Sequence, residues 1–177
     1  MELRLAQVKA ALLCIDKKHD SYSRLHFTEG CMVTTNGVVM LVQEVANDIG
    51  RDFSIEYHEF DGVKTEVVTL DGDGMLNGRV KTVLTALRLT PNWGKIIPAK
   101  LGDAEPADYD DTLLNTIGKI STLLTGNRHF KLHPRGENPG IVMFPNYPEA
   151  FVVIGPMRLD IVRNTGYEYK PPKPIEQ

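Results

Sequence analysis

The stretch from Arg24 to Val45 constrains the fold of this chain more than any other part of its sequence. It reads RLHFTEGCMVTTNGVVMLVQEV, with apolar and polar residues alternating from Leu25 through Met32 and an apolar run resuming at Val38. Alternation with a period of two turns one face of a strand toward a core. Asn36-Gly37, at the break between the runs, favours a tight two-residue turn between antiparallel strands. The stretch therefore predicts a β-hairpin.

A helical pattern precedes the hairpin. Between Arg4 and Lys17, apolar residues recur at the three- and four-residue spacing of an amphipathic helix. The sequence therefore predicts a helix over residues 4–17. Basic residues on such a helix most commonly belong to a solvated face, so they do not by themselves indicate a binding surface. The basic residues here are Arg4, Lys9, Lys17 and Lys18.

Strand patterns continue after the hairpin. Phe53, Ile55 and Tyr57 alternate with polar residues, and residues 65–70 form a further strand pattern. Residues 79–89 fit either a strand or a short helix. An extended connector bracketed by prolines follows, over residues 90–98.

A second helix is predicted beyond an acidic stretch. Five carboxylates lie between Leu101 and Asp111. Such a cluster is either a metal site or, more commonly, an exposed loop whose last acids cap a helix and complement its dipole. Apolar spacing then predicts a helix over residues 111–124, ended by Thr125-Gly126.

A second set of strands follows this helix. His129 and His133 are predicted to lie on one face of the first of them, and Ile141 to Phe144 and Ala150 to Ile154 complete the set. Two histidines without a third ligand nearby favour a metal site only weakly. The order of a helix followed by strands thus occurs twice along the chain. An extended proline-containing tail is expected over residues 164–177.

Composition excludes several classes of protein. With 177 residues, 42% of them hydrophobic and 24% charged, the chain has a globular composition and room for one substantial core. No apolar run approaches the roughly 20 residues needed to span a membrane, and the N-terminus lacks a secretory-signal pattern. The net charge of −3 argues against a surface coated with basic residues, but it is compatible with a local basic stripe.

The two cysteines point to a reducing compartment. Cys14 lies in the helical pattern and Cys31 in a strand pattern, and neither has metal-ligand spacing. Two cysteines in a chain of this size do not form a disulfide framework, so both are interpreted as small apolar residues. A cytoplasmic location is the expectation.

The sequence carries no recognisable enzyme motif. It lacks the glycine-rich loops that bind phosphate or dinucleotides, and it lacks the Gly-x-Ser-x-Gly nucleophile turn. No histidine stands in a recognisable nucleophile pattern. We therefore expect no catalytic residues, no bound metal and no cofactor.

Three segments resemble the bacterial replicative sliding clamps, the β subunits of DNA polymerase III. Residues 33–40, VTTNGVVM, resemble the family's Ala-Thr-Asp-Gly-His-Arg-Leu signature. Residues 91–98, PNWGKIIP, resemble its Pro-Asp-Tyr-Arg-Arg-Val-Leu-Pro connector, and residues 151–159, FVVIGPMRL, are similar to its Tyr-Val-Val-Met-Pro-Met-Arg-Leu ending. Together the resemblance covers residues 3–159.

The resemblance implies an α+β, DNA-clamp-like fold in which a helix-plus-antiparallel-strands unit is duplicated and both helices lie on one face. We expect one such domain over residues 1–163, with an enlarged middle segment at about 51–100, followed by the tail. Family clamps carry three such domains per chain and close into a ring as dimers. Their helices face DNA, which here implies a DNA-facing set of Arg4, Lys9, Lys17, Lys18 and Lys119.

The resemblance also implies a pocket that grips peptides of polymerase and other partners. The matching positions are Thr35, Gly37, Pro156, Met157 and Arg158. The chain departs from the family where the His-Arg pair of the signature is Val38-Val39 and where the methionine before the final proline is Gly155.

Three functions stay open at this point. The first is a non-enzymatic, DNA- or replication-associated accessory of a phage or mobile-element type, related to processivity factors, that binds double-stranded DNA weakly and without sequence preference. The second is a protein-interaction or structural module that uses the clamp-like fold without DNA. The third is an enzyme with a site among residues 103–111 and the histidine strand.

Self-association is a further expectation. Sheet edges left unpaired in solvent invite association, and residues 151–154 are too apolar for a free edge. We therefore expect a homo-oligomer with closed symmetry, unless the middle segment or the tail covers the edges.

Overall fold

A computed structural model describes residues 1–28, 30–77, 80–82, 84–85 and 96–157 of the chain. The described residues include two α-helices, α1 (Leu5–Leu12) and α2 (Asp111–Thr125). The strands are β1 (Glu2–Arg4), β2 (Arg24–Thr28), β3 (Cys31–Thr35), β4 (Val39–Glu44), β5 (Phe53–Glu56), β6 (Val67–Thr69), β7 (Met75–Leu76), β8 (Val80–Lys81), β9 (Lys131–Arg135), β10 (Asn138–Met143) and β11 (Ala150–Ile154).

One antiparallel sheet runs through both halves of the chain. Its seven strands stand in the order β5-β2-β3-β4-β11-β10-β9. The two halves meet where β4 pairs with β11, with Leu41 opposite Val152. The sequence-based treatment of residues 151–154 as a sheet edge is therefore wrong: the strand is apolar because it lies in the middle of the sheet.

Both helices pack side by side on one face of this sheet. Ala10 of α1 and Ile117 and Ile120 of α2 share a buried cluster with Leu41 and Val152 of the central strands. The helices contact each other directly. This confirms the predicted α+β, clamp-like arrangement of two helices on one face.

The first helix is shorter than predicted. Residues 2–4 form β1, which pairs with β6, so the helix begins at Leu5. It ends at Leu12, and beyond it the Asp16 carboxylate accepts a hydrogen bond from the Lys18 backbone N–H at 2.9 Å. Such local side-chain bonds compete with helix extension. Lys17 and Lys18 therefore lie outside the helix.

The predicted hairpin forms with its tip one residue later than expected. The Asn36 N–H donates to the Val39 carbonyl at 3.2 Å, which leaves Gly37 and Val38 as the two tip residues. Gly37 has φ +90°, a conformation that favours glycine. The Asn36 side chain instead accepts hydrogen bonds from the Val38 and Val39 N–H groups at 3.0 and 2.8 Å.

The second helix has the predicted ends. Asp110 caps it by accepting hydrogen bonds from the N–H groups of Thr112 at 2.7 Å and Leu113 at 3.4 Å. Gly126 ends it in the left-handed conformation, with φ +81°. These caps confirm that the last acids of residues 101–111 serve the helix start.

Other segments meet both outer strands of the sheet. On β5, Ser54 and Thr85 exchange backbone hydrogen bonds of 2.9 and 3.1 Å. On β9, Glu105 bonds to the Pro134 carbonyl and the Gly136 N–H. The Lys131–His133 part of β9 has no further strand partner among the described residues. The middle segment thus contacts one edge at Ser54, and the acidic loop contacts part of the other.

The sheet face opposite the helices is also apolar and largely covered. Met40, Ile141 and Val153 are buried there, and Ile97 of the connector packs against them. The end of the connector, residues 96–98, therefore lies on the face that the helices leave free. The predicted tail and residues 86–95 lie outside the described residues.

Candidate nucleic-acid and peptide interfaces

Two of the predicted basic residues stand free on the helices. Lys9 is exposed on α1 and Lys119 is exposed on α2. Within the described part of the chain, neither forms an ion pair. Because the helices lie side by side, both amines belong to one surface, which we call the helix face.

Arg4 is engaged with the protein itself. Its Nη2 donates a hydrogen bond to the Tyr147 hydroxyl, and its Cζ lies 4.8 Å from the centre of the Tyr147 ring. Tyr147 is buried in the turn between β10 and β11. Arg4 thus ties the start of α1 to the second half of the chain, so its replacement would disturb packing as well as charge.

Lys17 and Lys18 lie in the turn after α1. The Lys17 Nζ lies 4.7 Å from the centre of the Tyr57 ring, a cation–π contact. Lys18 is exposed. The five predicted DNA-facing residues therefore divide into two free helix cations, one arginine in a packing role and two lysines beyond the helix.

Arg128 joins the helix face although its sequence position did not suggest it. It follows α2, yet its Nη2 donates a hydrogen bond of 2.8 Å to the Asn115 Oδ1 in the first half of that helix. A Cβ at Gly118 would lie 2.8 Å from the same nitrogen. A glycine in the middle of an amphipathic helix was the sequence signal that could have located it.

A groove separates the two helices near the start of α1. Its volume is about 420 Å³, and its lining includes Arg4, Lys9, Glu66 and Leu123. Lys9 thus stands on the rim of a channel between the helices. Glu66, on the same lining, brings a negative charge that offsets the positive charge of Lys9.

The start of α2 carries the opposite charge. Asp110 and Asp111 are both exposed there. Hydrogen bonding to Thr112, from the side chain first and then from the backbone, lowers the pKa of Asp110, so this carboxylate stays ionised at neutral pH. The two carboxylates therefore give the start of α2 a negative charge, which disfavours an anion there.

The predicted peptide-pocket residues line two neighbouring cavities. The first, of about 230 Å³, lies between the β3–β4 hairpin and the end of β11, and both Thr35 and Gly37 line it. The second, of about 480 Å³, is lined by Pro156 and Met157. Arg158 lies outside the described residues.

Val38 and Gly155 stand between these cavities and line both. The Gly155 N–H donates to the Val38 carbonyl at 2.9 Å, which joins the hairpin tip to the end of β11. The two departures from the clamp signature thus meet in space. With no side chain at Gly155 and an aliphatic one at Val38, the site offers apolar contact and backbone groups.

A larger apolar groove lies farther along the same sheet face. It has a volume of about 470 Å³ and is lined by Ile97, Leu101, Met143, Phe144 and Phe151 among others. It lies on the far side of the connector from the first cavity.

The acidic loop of the predicted enzyme alternative does reach the histidine strand, where Glu105 bonds to the backbone of Pro134 and Gly136. His129 precedes β9 rather than lying on it, so the expectation that it shares a strand face with His133 is wrong. Within the described ranges, no cluster of three or more His, Cys, Asp or Glu side chains could hold a metal ion. In the same ranges, no helix has the length and apolar character that crossing a membrane requires.

Comparison with known proteins bears on the fold. No protein-family model and no curated protein matches the chain. The DNA polymerase III β subunit of Borrelia burgdorferi matches with a TM-score of 0.62 at 11% identity, covering 90% of this chain and 64% of that one. That of Pseudomonas aeruginosa matches with a TM-score of 0.57 at 11% identity, covering 90% and 66%.

The Helicobacter pylori β clamp, solved with a bound DNA ligase peptide, matches with a TM-score of 0.53 at 12% identity, covering 86% of this chain and 62% of that one. These alignments span less than two thirds of each clamp's own length. Similarity at identities this low shows the fold alone. The chain has a sliding-clamp-like fold.

Proposed function

We propose that this chain is a non-enzymatic, sliding-clamp-like protein that associates with double-stranded DNA and with replication proteins. The observation that supports it best is the helix face, where free Lys9 and Lys119 stand on adjacent helices backed by a continuous sheet. The fold match to DNA polymerase sliding clamps supports the same proposal. A cytoplasmic, homo-oligomeric relative of those clamps is the form we propose.

The expected binding is weak and independent of sequence. Lysine amines neutralise backbone phosphates and release counterions without reading bases. Two phosphate contacts per chain predict a plot of log K against log salt with a slope of roughly −1.8. The acidic start of α2 and the net charge of −3 oppose tighter binding.

Fluorescence anisotropy with a labelled duplex, titrated at low and rising salt, tests this. The Lys9→Glu/Lys119→Glu variant should abolish binding, because each change replaces attraction to phosphate by repulsion. Lys100→Glu is the matched control, since this exposed lysine follows the connector and stands between Pro98 and Leu101, which line the groove on the sheet face opposite the helices. If the wild-type chain does not bind duplex at low salt at millimolar concentration, the DNA proposal fails.

A second function is favoured by the cavity between the hairpin and β11. Its lining of Thr35, Gly37, Met40 and Val153 offers backbone groups and apolar contact to a peptide side chain. The H. pylori clamp binds a DNA ligase peptide. We propose that this cavity takes a short apolar peptide segment of a replication protein.

Titration with that DNA ligase peptide tests the cavity. Gly155→Leu should prevent binding, since a Cβ there meets Val38 at ordinary contact distances of 3.5 and 3.6 Å and a longer side chain would enter the cavity. Gly72→Leu is the control, because nothing lies within 4 Å of a Cβ at that glycine. Equal binding by Gly155→Leu and wild type would refute this site.

A further inference from the structure

We infer that Arg128 is a phosphate-binding group of the helix face, held in place by α2. The inference rests on the proposed DNA association and identifies the group through which the second helix takes part. Sequence spacing assigns that helix only Lys119, whereas the folded chain brings a second cation onto it.

The geometry holds the guanidinium against the helix. Asn115 Oδ1 accepts a hydrogen bond from Nη2 at 2.8 Å. A Cβ at Gly118 would lie 2.8 Å from Nη2 and 2.9 Å from Nε, closer than side-chain atoms pack. Glycine destabilises a helix interior relative to alanine. Its presence at position 118 leaves room for the guanidinium of Arg128 to approach the helix. A fixed arginine loses less conformational freedom on binding than a free one.

The charge of Arg128 remains available to a ligand. Its partner Asn115 is neutral, and among the described residues no carboxylate forms an ion pair with it. A guanidinium carries five N–H donors in a planar fork that matches two phosphate oxygens. The bond to Asn115 leaves most of these donors free, and the residue is exposed.

The position of Arg128 extends the row of free cations across the helix face. Leu123 lines the groove shared with Lys9, and Gly118 lies about 140° away from it around α2 at 100° per residue. Lys119 lies between these two flanks on the outer side of the helix. Lys9, Lys119 and Arg128 therefore follow one another across the two helices.

A purely structural role for Arg128 predicts different behaviour. In that role the hydrogen bond from Arg128 to Asn115 would only fasten the segment after α2 to the helix and so stabilise the fold. Loss of such a contact would lower the melting temperature and leave DNA binding unchanged. Variants that separate stability from binding distinguish the two roles.

Gly118→Ala is the decisive variant. Its methyl group must displace the guanidinium, while alanine favours the helix, so the melting temperature should hold or rise and DNA affinity should fall. Arg128→Gln should flatten the slope of log K against log salt by about 0.9, which makes the affinity loss from 50 to 200 mM salt about 3.5-fold smaller. Arg128→Lys should retain the slope with weaker binding, since it keeps the charge and loses the fork.

The measurement is duplex anisotropy across salt, paired with thermal unfolding of each variant. Arg51→Gln, an exposed arginine in the turn before β5, is the control and should bind as wild type. A wild-type slope for Arg128→Gln and wild-type affinity for Gly118→Ala, with binding still lost in Lys9→Glu/Lys119→Glu, would overturn this inference alone. Absence of duplex binding by the wild type would overturn it together with the proposed function.

Discussion

The continuous sheet predicts that the two halves of the chain unfold together. Ile55 lies in the core of the first half and Ile120 in the core under α2, and both are fully buried. Shortening either to valine removes one methylene from close packing, which costs about 0.5–1.5 kcal/mol. For a chain of this length that free energy lowers the melting temperature by about 1–6 °C.

Differential scanning calorimetry of Ile55→Val, Ile120→Val and the double variant measures this directly. Each single variant should shift one shared transition, and the double variant should shift it by the sum, because the sites lie in separate clusters. Val67→Ala is the control: Val67 is 46% exposed, so its change should stay within about 0.5 kcal/mol. Two transitions, each sensitive to only one isoleucine, would refute a single cooperative domain over residues 1–163.

Three further results are expected. The pKa of Asp110 is lowered in the folded chain, so the stabilisation by its carboxylate is complete above the unfolded pKa of about 3.9 and is lost as pH falls through the folded pKa. The difference in melting temperature between wild type and Asp110→Asn should therefore close on acidification. A difference that stays constant with pH would contradict this. Burial raises the pKa of Cys14 to about 12, so a thiol reagent at neutral pH should label partly exposed Cys31 first and Cys14 only after denaturation; simultaneous labelling would be the contrary result. If the uncovered part of β9 pairs with a second copy, light scattering across a concentration series should rise above the 19.8 kDa of one chain, whereas a constant 19.8 kDa would exclude a homo-oligomer.

Local chemistry made some elements predictable from sequence. The cap at Asp110 and the stop at Gly126 depend on residues within one turn of α2, so their types alone predict the helix ends. The hairpin was equally local, although the side chain of Asn36 bonds the backbone itself and moves the tip to Gly37-Val38.

Long-range partners made other elements unpredictable. β1 is three residues long and exists because β6, more than sixty residues later, supplies its pairing. An apolar run such as residues 150–154 has the same sequence pattern in a central strand as in an edge strand. Only its pairing with β4 and β10 shows that this strand is central.

The candidate sites show the same division. Lys9 and Lys119 were predictable because helical spacing alone exposes them. The contact between Arg4 and Tyr147 joins residues 143 positions apart, so the packing role of Arg4 could not be seen in the sequence. The place of Arg128 on the helix face could not be predicted, because it depends on the turn after α2 and on the space that Gly118 leaves for the guanidinium.

The charge on the helix face also limits how such a chain could remain on DNA. Among the described residues, the helices and Arg128 give one copy three free cations on the helix face, Lys9, Lys119 and Arg128, and contacts from these three alone predict a salt slope of roughly −2.7. The acids at the start of α2 and the net charge of −3 keep that single-copy affinity low. Several copies joined through sheet edges would add their contacts, because every engagement after the first is intramolecular. A slope steeper than this that persists in Lys17→Gln/Lys18→Gln would therefore point to more than one copy on the same duplex, and it would link the clamp-like fold to assembly on DNA.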